Sequence, residues 1–269
     1  MSRSWQSLLG VALLGIGTGA LAAPILWIDD NFNQLGTVDV ATGGKTVIGS
    51  FGIGGGQTMT DIAFDPSGNL WGISFNSIYT INKTTGAATL VGNHGISQGN
   101  ALAFSAAGTL YAAGATTTNL YTVNTATGVG GVVGNMGFAS GGDLAFNGGN
   151  LFLATSNRLV EVNPVTGAGV AVGGLFGVSD VFGLATGDDG VLYATAGQNA
   201  YTVNTTTGVA TLAANWSVPF APLLGTAFGT AFVTEAGAPP ETSVPEPGTL
   251  LLIAAGLIGI VAGRRRALR

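Results

Sequence analysis

The 269-residue chain contains no cysteine and only one histidine, His94. Without cysteine it can form neither a disulfide framework nor a thiolate zinc site, and it has no cysteine nucleophile. A single histidine excludes a metal site built from several imidazoles, and a Ser-His-Asp triad would have to use His94. Because His94 lies between Asn93 and Gly95, the sequence predicts an exposed loop residue there. We expect no cofactor and no resident metal.

Charged residues are also scarce, at 8% of the chain, and they are unevenly distributed. Only Lys45, Lys83 and Arg158 supply positive charge between Arg3 and Arg264, whereas all 13 Asp and Glu residues lie in that interval. A surface with this acidic balance is a poor partner for nucleic acid. Glycine, in contrast, is abundant, with 46 residues and no three-residue period, which excludes collagen and favours many short strands joined by tight turns.

One nine-residue pattern recurs along most of the chain. It begins with alternating β-branched or aromatic residues, continues with an Asn or Asp that can bond its own backbone, and closes with Thr-Gly, so it predicts a strand that enters a tight turn. The copies are residues 35–43, 78–86, 120–128, 159–167 and 200–208. Their closing glycines lie 39 to 43 residues apart, which is the period of a four-stranded propeller blade.

A second recurring segment has a small Ala at its centre, which suits the crowded innermost strand of a blade. Its copies are residues 61–64, 101–104, 143–146, 183–186 and 225–228. The first turn segment precedes all of these copies and the last copy follows every turn segment. We therefore predict an all-β domain over residues 23–237, a β-propeller of about five four-stranded blades closed by both chain ends.

In the closing blade, residues 35–43 and 45–50 should form the outer strands and residues 225–235 the inner pair. Residues 25–28 and 231–234 both read as second strands, although five blades need only one of them. Six blades with incomplete ends and an open solenoid are the alternatives. The repeats resemble bacterial propeller repeats of the surface-protein and quinoprotein-like kind, a resemblance that implies a shape and no activity.

The N-terminus has the order of a secretory signal peptide over residues 1–22. Arg3 supplies the positive charge, residues 8–16 the apolar centre, and the small residues that end in Ala22 predict cleavage between Ala22 and Ala23. A retained membrane anchor is the alternative, but the apolar run is short against the about 20 residues that a spanning helix needs.

The C-terminal tail has three parts in sequence after a linker at residues 238–243. These are an extended motif at 244–248, a predicted single transmembrane helix at 249–263, and a basic tail at 264–269 that includes Arg264, Arg265 and Arg266. Two prolines keep the motif out of the helix, and the arginines orient the segment by the positive-inside rule.

This tail resembles the PEP-CTERM sorting signal of Gram-negative bacteria, with Val244, Pro245, Glu246 and Pro247 as the sorting motif. The resemblance implies an exosortase as processing partner, transient anchoring in the inner membrane, and release to the cell surface or the medium in connection with exopolysaccharide or biofilm. A permanent C-terminal anchor is the alternative.

Asp61 and Asp143 are the candidate binding residues of the domain, because they occupy the same position in two repeats and should face one end of the central channel. Carboxylates there could bind a cation or sugar hydroxyls, although capping of a tight loop explains them more simply. Asn100 and Asp180 lie near the corresponding sites. Asp29 and Asp30 begin a sequence with some features of a calcium loop, but it lacks the Gly and the distal Glu, so we expect a solvated loop.

The sequence thus favours a non-enzymatic, exported propeller that binds polysaccharide or a surface protein. The alternative is a propeller enzyme of the metal-dependent lactonase or lyase type, acting outside the cytoplasm near Asp61 and Asp143. A passive spacer would differ from the first function only by having no saturable ligand.

Overall fold

The computed structural model describes residues 24–173, 177–217 and 223–237, and these form five four-stranded antiparallel sheets, which are the blades of a propeller. Blade 1 contains β1 (Ile25–Asp30), β2 (Gln34–Asp39), β3 (Lys45–Ser50) and β20 (Ala227–Ala231). Blade 2 contains β4 (Met59–Phe64), β5 (Leu70–Ser74), β6 (Ser77–Ile81) and β7 (Ala88–Asn93). Blade 3 contains β8 (Gly99–Phe104), β9 (Leu110–Gly114), β10 (Asn119–Val123) and β11 (Gly130–Asn135). Blade 4 contains β12 (Asp143–Asn147), β13 (Asn150–Ala154), β14 (Leu159–Val162) and β15 (Gly169–Ala171). Blade 5 contains β16 (Val181–Thr186), β17 (Leu192–Ala196), β18 (Asn199–Val203) and β19 (Ala210–Asn215).

The innermost strands close a ring around the axis. They contact one another in the cyclic order β4, β8, β12, β16, β20 and back to β4. Blade 1 is assembled from both chain ends, because its strand order is β20-β1-β2-β3. This confirms the five-bladed prediction and excludes both the six-bladed ring and the open solenoid.

One part of the predicted closing blade is wrong. Residues 225–235 do not supply an inner pair: β20 is the innermost strand and β1 is the second strand. The register Trp27↔Ala231 and Asp29↔Gly229 aligns residues 229–232, rather than 225–228, with the innermost copies of the other blades. The innermost strand therefore ends at Ala231 and a turn follows over residues 233–237, which removes the apparent surplus of second strands.

The repeated turns form as their chemistry requires. In each blade the Asn or Asp side chain accepts hydrogen bonds from the backbone amides two and three residues later, as Asn124 does from Ala126 and Thr127 at 2.9 and 3.1 Å. The closing glycine then takes a left-handed conformation, with φ of +77° at Gly128. A Cβ on Gly128 would also lie 2.8 Å from backbone atoms of Gly92 in the preceding blade, so the turn needs glycine for contact as well as for conformation.

The core is divided into five apolar clusters, one between each pair of neighbouring blades. The central alanines of the innermost strands are all buried, which lets the strands approach the axis. At four of the five interfaces an aromatic residue of one second strand packs against a Phe at or near the end of the next innermost strand. The pairs are Trp27–Phe64, Trp71–Phe104, Tyr111–Phe146 and Tyr193–Phe232.

Candidate functional site

Five equivalent positions on the innermost strands face the axis, and their residues differ from blade to blade. They are Gly229, Asp61, Ala101, Asp143 and Gly183 in blades 1 to 5. Asp61 and Asp143, the predicted channel residues, are fully buried and their carboxyl groups contact each other across the axis. The sequence pattern placed them correctly on the axis, whereas a ligand for them stays a prediction.

Each of these carboxyl groups joins two neighbouring blades rather than capping a tight loop. Asp61 accepts from the amides of Ile62, at 2.7 Å, and of Leu102 in blade 3, at 2.6 Å. Asp143 repeats the arrangement with Leu144 and with Leu184 of blade 5, both at 2.6 Å. The innermost strand of a blade is a sheet edge whose amides have no strand partner on the axis side. The two aspartates supply the missing acceptors.

Asp29 adds a third carboxyl group from the second strand of blade 1. It reaches the axis over Gly229: a Cβ on that glycine would lie 2.2 Å from Oδ1 of Asp61 and 2.6 Å from Oδ1 of Asp29. Asp29 is fully buried, and neither of its carboxyl oxygens makes a hydrogen bond of standard geometry. We call Asp29, Asp61 and Asp143 the axial cluster.

The prediction of a solvated loop at residues 29–33 is therefore wrong for its first two residues. Asp29 and Asp30 are buried at the end of β1 because the strand continues two residues further than the apolar pattern indicates. Asp30 satisfies the following turn by accepting from the amides of Phe32 and Gln34, and it also accepts from Gly225 at 2.8 Å. The side chain is occupied by backbone donors, which is a structural role.

Electrostatics make the axial cluster unusual. Burial raises the pKa of Asp61 well above its ordinary value, and the carboxyl groups of Asp143 and Asp29 raise it further. Burial also raises the pKa values of Asp29 and Asp143 well above the usual range, although backbone amides oppose the shift. Among the described residues, no three His, Cys, Asp or Glu side chains are arranged to hold a metal ion.

The blade 5 side of the axis carries hydroxyl groups instead of carboxyls. A Cβ on Gly183 would lie 2.3 Å from Oγ1 of Thr195 and 2.7 Å from Oγ1 of Thr230. Thr230 donates to Asp143 at 3.3 Å, while Thr195 is fully buried and its hydroxyl finds no hydrogen-bond partner among the described residues. Thr195 crosses over a glycine from the second strand as Asp29 does in blade 1. Sequence reasoning missed both residues, because only the pairing of second with innermost strands reveals them.

His94 is buried rather than exposed, with 2% of its surface accessible, which corrects the prediction for this residue. Its Nδ1 accepts from the amide of Ile96 at 2.9 Å, and its Nε2 lies 3.0 Å from the carbonyl oxygen of Ser74. An amide can only donate, so the ring proton is on Nε2 and the imidazole is neutral. Burial lowers the pKa of His94 in agreement with this state. The side chain ties its own loop to the end of β5, and both ring nitrogens are occupied by backbone groups.

A concave surface lies away from the axis. We call the end of the ring at which the innermost strands begin the top face, and there a groove of about 740 Å³ crosses blade 5. Phe182 and Tyr201 line it with partly exposed rings, and Asp180, Asn199 and Thr226 add polar groups. Asp180 is exposed with φ of +56°, so it belongs to the groove and not to the axial cluster. Asn100, the other residue near the predicted ring, is buried with an unpartnered Oδ1.

Comparison with known proteins identifies the tail. Residues 243–266 match the family model of the PEP-CTERM protein-sorting motif. The chain carries a PEP-CTERM sorting signal. This motif implies export, a membrane-anchored sorting stage and processing by an exosortase. No curated protein matches the chain.

Several sequence predictions concern residues outside the described ranges. They are the cleavage between Ala22 and Ala23, the sorting motif Val244, Pro245, Glu246 and Pro247, the helix at 249–263, and the basic residues Arg264, Arg265 and Arg266. Within the described ranges no helix is long and apolar enough to cross a membrane.

Solved structures share the propeller fold at low sequence identity. A protein of unknown function from Bacteroides thetaiotaomicron VPI-5482 is 15% identical, with 81% of this chain and 66% of that chain covered and a TM-score of 0.52. A chain of a nidogen/laminin complex is 12% identical, with 73% and 80% covered and a TM-score of 0.53. At such identities the likeness shows the fold alone.

Proposed function

We propose that this PEP-CTERM protein is a non-enzymatic, exported propeller of a Gram-negative bacterium that binds extracellular polysaccharide through the groove on blade 5. The observation that supports the proposal is the composition of that groove. Two partly exposed aromatic rings can stack on the apolar faces of sugar rings, while the carboxylate of Asp180 and the hydroxyl of Thr226 can bind sugar hydroxyl groups. A sorting tail of the exosortase type would deliver this surface to the matrix.

The charge of the domain restricts the polysaccharide. Asp180 lies in the groove, and acidic residues outnumber basic ones throughout the described domain. An anionic polymer would be repelled from this surface at low ionic strength. We therefore propose an uncharged or amine-bearing polysaccharide as the ligand, in a biofilm or at the envelope.

Binding is also a better fit than catalysis for the carboxyl groups of this protein. The axial cluster is fully buried, so a substrate in solvent does not reach it. A propeller lactonase or lyase would need accessible carboxylates around a divalent ion. This argument supports the non-enzymatic proposal, which a hydrolase and lyase panel with the exported protein would test.

A binding experiment with matched variants tests the groove. Tyr201 in blade 5 and Tyr121 in blade 3 occupy the same strand position, because each pairs with the second strand and adjoins the same irregularity. We expect Tyr201→Ala to weaken binding to an uncharged or amine-bearing glucan by about tenfold or more, and Tyr121→Ala to leave it unchanged. Equal losses in both variants, or no saturable binding of any polysaccharide, would contradict the proposal; the second result would favour a passive spacer.

A mass measurement tests the sorting half of the proposal. The intact mass of the protein recovered from its host should be lower by the membrane segment and basic tail when an exosortase is present than when it is deleted. Glu246→Ala should give the unprocessed mass in both strains. An unchanged mass in the wild-type host would instead indicate a permanent anchor.

A further inference from the structure

The axial cluster connects blades through contacts that require at least one of its carboxyl groups to be protonated. Asp61 and Asp143 already accept two amides each, and their carboxyl groups contact each other as well. Two ionised carboxylates cannot approach in this way, because neither has a donor and their charges repel. At least one of the pair must be protonated, and it then donates to the other.

We propose that protons shared within the axial cluster hold the propeller closed along its axis, and that their loss at alkaline pH loosens the ring. The bonded series runs from Leu102 of blade 3 through Asp61 and Asp143 to Leu184 of blade 5, with Thr230 of blade 1 attached to Asp143. All five blades thus meet in one group of hydrogen bonds. Removing its protons leaves buried negative charges where these innermost strands meet at the axis.

Other titratable groups around the cluster act in the same direction. β1 contributes Asp30, whose charge raises the pKa of Asp29, and the turn after β20 contributes Glu235, whose charge raises that of Asp143. β8, β12 and β16 add no titratable side chain apart from Asp143 itself, and β17 adds Thr195 together with Tyr193, whose hydroxyl donates to Asp189. On blade 2 the cation Lys83 lies with its Nζ 5.6 Å from the ring centre of Phe64, which ends the strand that carries Asp61.

Glu235 adds a further titratable carboxyl group beyond the axial cluster, where the innermost strands of blades 1 and 2 end. Its carboxyl group accepts from the amides of Phe64 and Phe232, both at 3.3 Å, and so ties the chain after β20 to blade 2. Burial raises the pKa of Glu235 to about 8. This residue therefore begins to lose its proton in a pH range that bacteria meet outside the cell.

The direction of the pH effect follows from the raised pKa values. Above about pH 4 the unfolded chain has released these protons, while the folded ring still holds them. Stability is therefore greatest in mild acid and falls as the pH rises through the folded pKa values. Most proteins with salt-bridged carboxylates behave in the opposite way over the acid part of this range.

The test is urea unfolding of the full chain in a non-ionic detergent, followed by tryptophan fluorescence, between pH 5 and pH 9. Trp27 and Trp216 are buried in blades 1 and 5 and report closure of the ring. We expect the folding equilibrium constant to fall by about a hundredfold or more over this range, because each unit of pKa shift corresponds to about tenfold. A constant that is independent of pH, or that rises with pH, would overturn the proposal.

Two variants and a spectrum sharpen the test. Asp29→Asn keeps the shape of a side chain that makes no standard hydrogen bond and removes its titration, so the fall with pH should shrink by about tenfold or more. The control, Asp188→Asn, changes an exposed aspartate and should keep the wild-type fall.

If Asp29→Asn does not fold, the infrared carbonyl band of protonated carboxylic acid in the wild type at pH 7 decides the matter. Presence of this band supports the proposal that protons are shared within the axial cluster, and its absence overturns that proposal. Loss of stability on adding a chelator at constant pH would also overturn the proposal, since a metal ion would then neutralise the cluster. None of these results depends on polysaccharide binding.

Discussion

The turns between the third and fourth strands, which we call the rim, use the same chemistry in every blade, whereas the residues at the axis do not repeat. At the rim each blade repeats one turn, with an Asn or Asp that accepts two amides and a glycine in the left-handed conformation. At the axis the five equivalent positions of blades 1 to 5 hold Gly, Asp, Ala, Asp and Gly, so no single residue type is repeated around the ring. Local turn chemistry is satisfied within one blade and can be repeated. The axis is a single shared space, so its residues must complement one another.

The largest effect should come from breaking this complementarity at Gly229. A Cβ there would lie 2.3 Å from Cα of Asp61, and backbone cannot rotate away, so Gly229→Ala should cost about 3 kcal/mol or more. Gly183→Ala meets only the side chains of Thr195 and Thr230 and should cost about 1–2 kcal/mol. Urea midpoints of the two variants measure the difference. Equal costs would show that the axis is not rigidly packed.

A smaller and uniform effect is expected at the rim. Asn124→Ala removes the acceptor of two exposed amides and should cost about 1 kcal/mol, whereas Asn124→Asp retains the acceptor and resembles the natural Asp39 of blade 1. Asn82→Ala, in blade 2, should give the same cost as Asn124→Ala. Unequal costs in thermal or urea unfolding would mean that the rim is not a true repeat.

The smallest effect concerns His94, which lies outside both regions. Burial lowers its pKa, so the folded state binds no proton where the unfolded state begins to bind one, and stability should decline slightly below about pH 6.5. As the only histidine of an untagged chain, it gives a single set of imidazole proton resonances. These should titrate below the ordinary midpoint in an NMR pH series. A midpoint at or above the ordinary value would contradict the buried, neutral ring.

The contrast between rim and axis also explains what could be predicted from sequence. The turns, the blade number and closure by both chain ends follow from patterns within about forty residues, and the structure confirms them. The register of β20 could not be predicted, because residues 225–228 and 229–232 both resemble an innermost strand and only pairing with β1 decides between them. Asp29 and Thr195 were missed since each reaches the axis over a glycine of another strand. The prediction for His94 was wrong because its loop is short and polar, a pattern typical of exposed residues. In the structure the amide of Ile96 and the carbonyl oxygen of Ser74 bind its two ring nitrogens.

Pairing of β20 with β1 makes completion of the domain depend on its last strand. If a chain crosses a membrane with its amino end first, β1 crosses well before β20. The edge of β1 then stays unpaired until residues 227–231 have also crossed. A product truncated before that point cannot form blade 1, and it offers a bare strand to any neighbour or protease. The sorting motif follows β20 in the sequence. A chain that presents the motif for processing therefore already contains the strand that closes the ring.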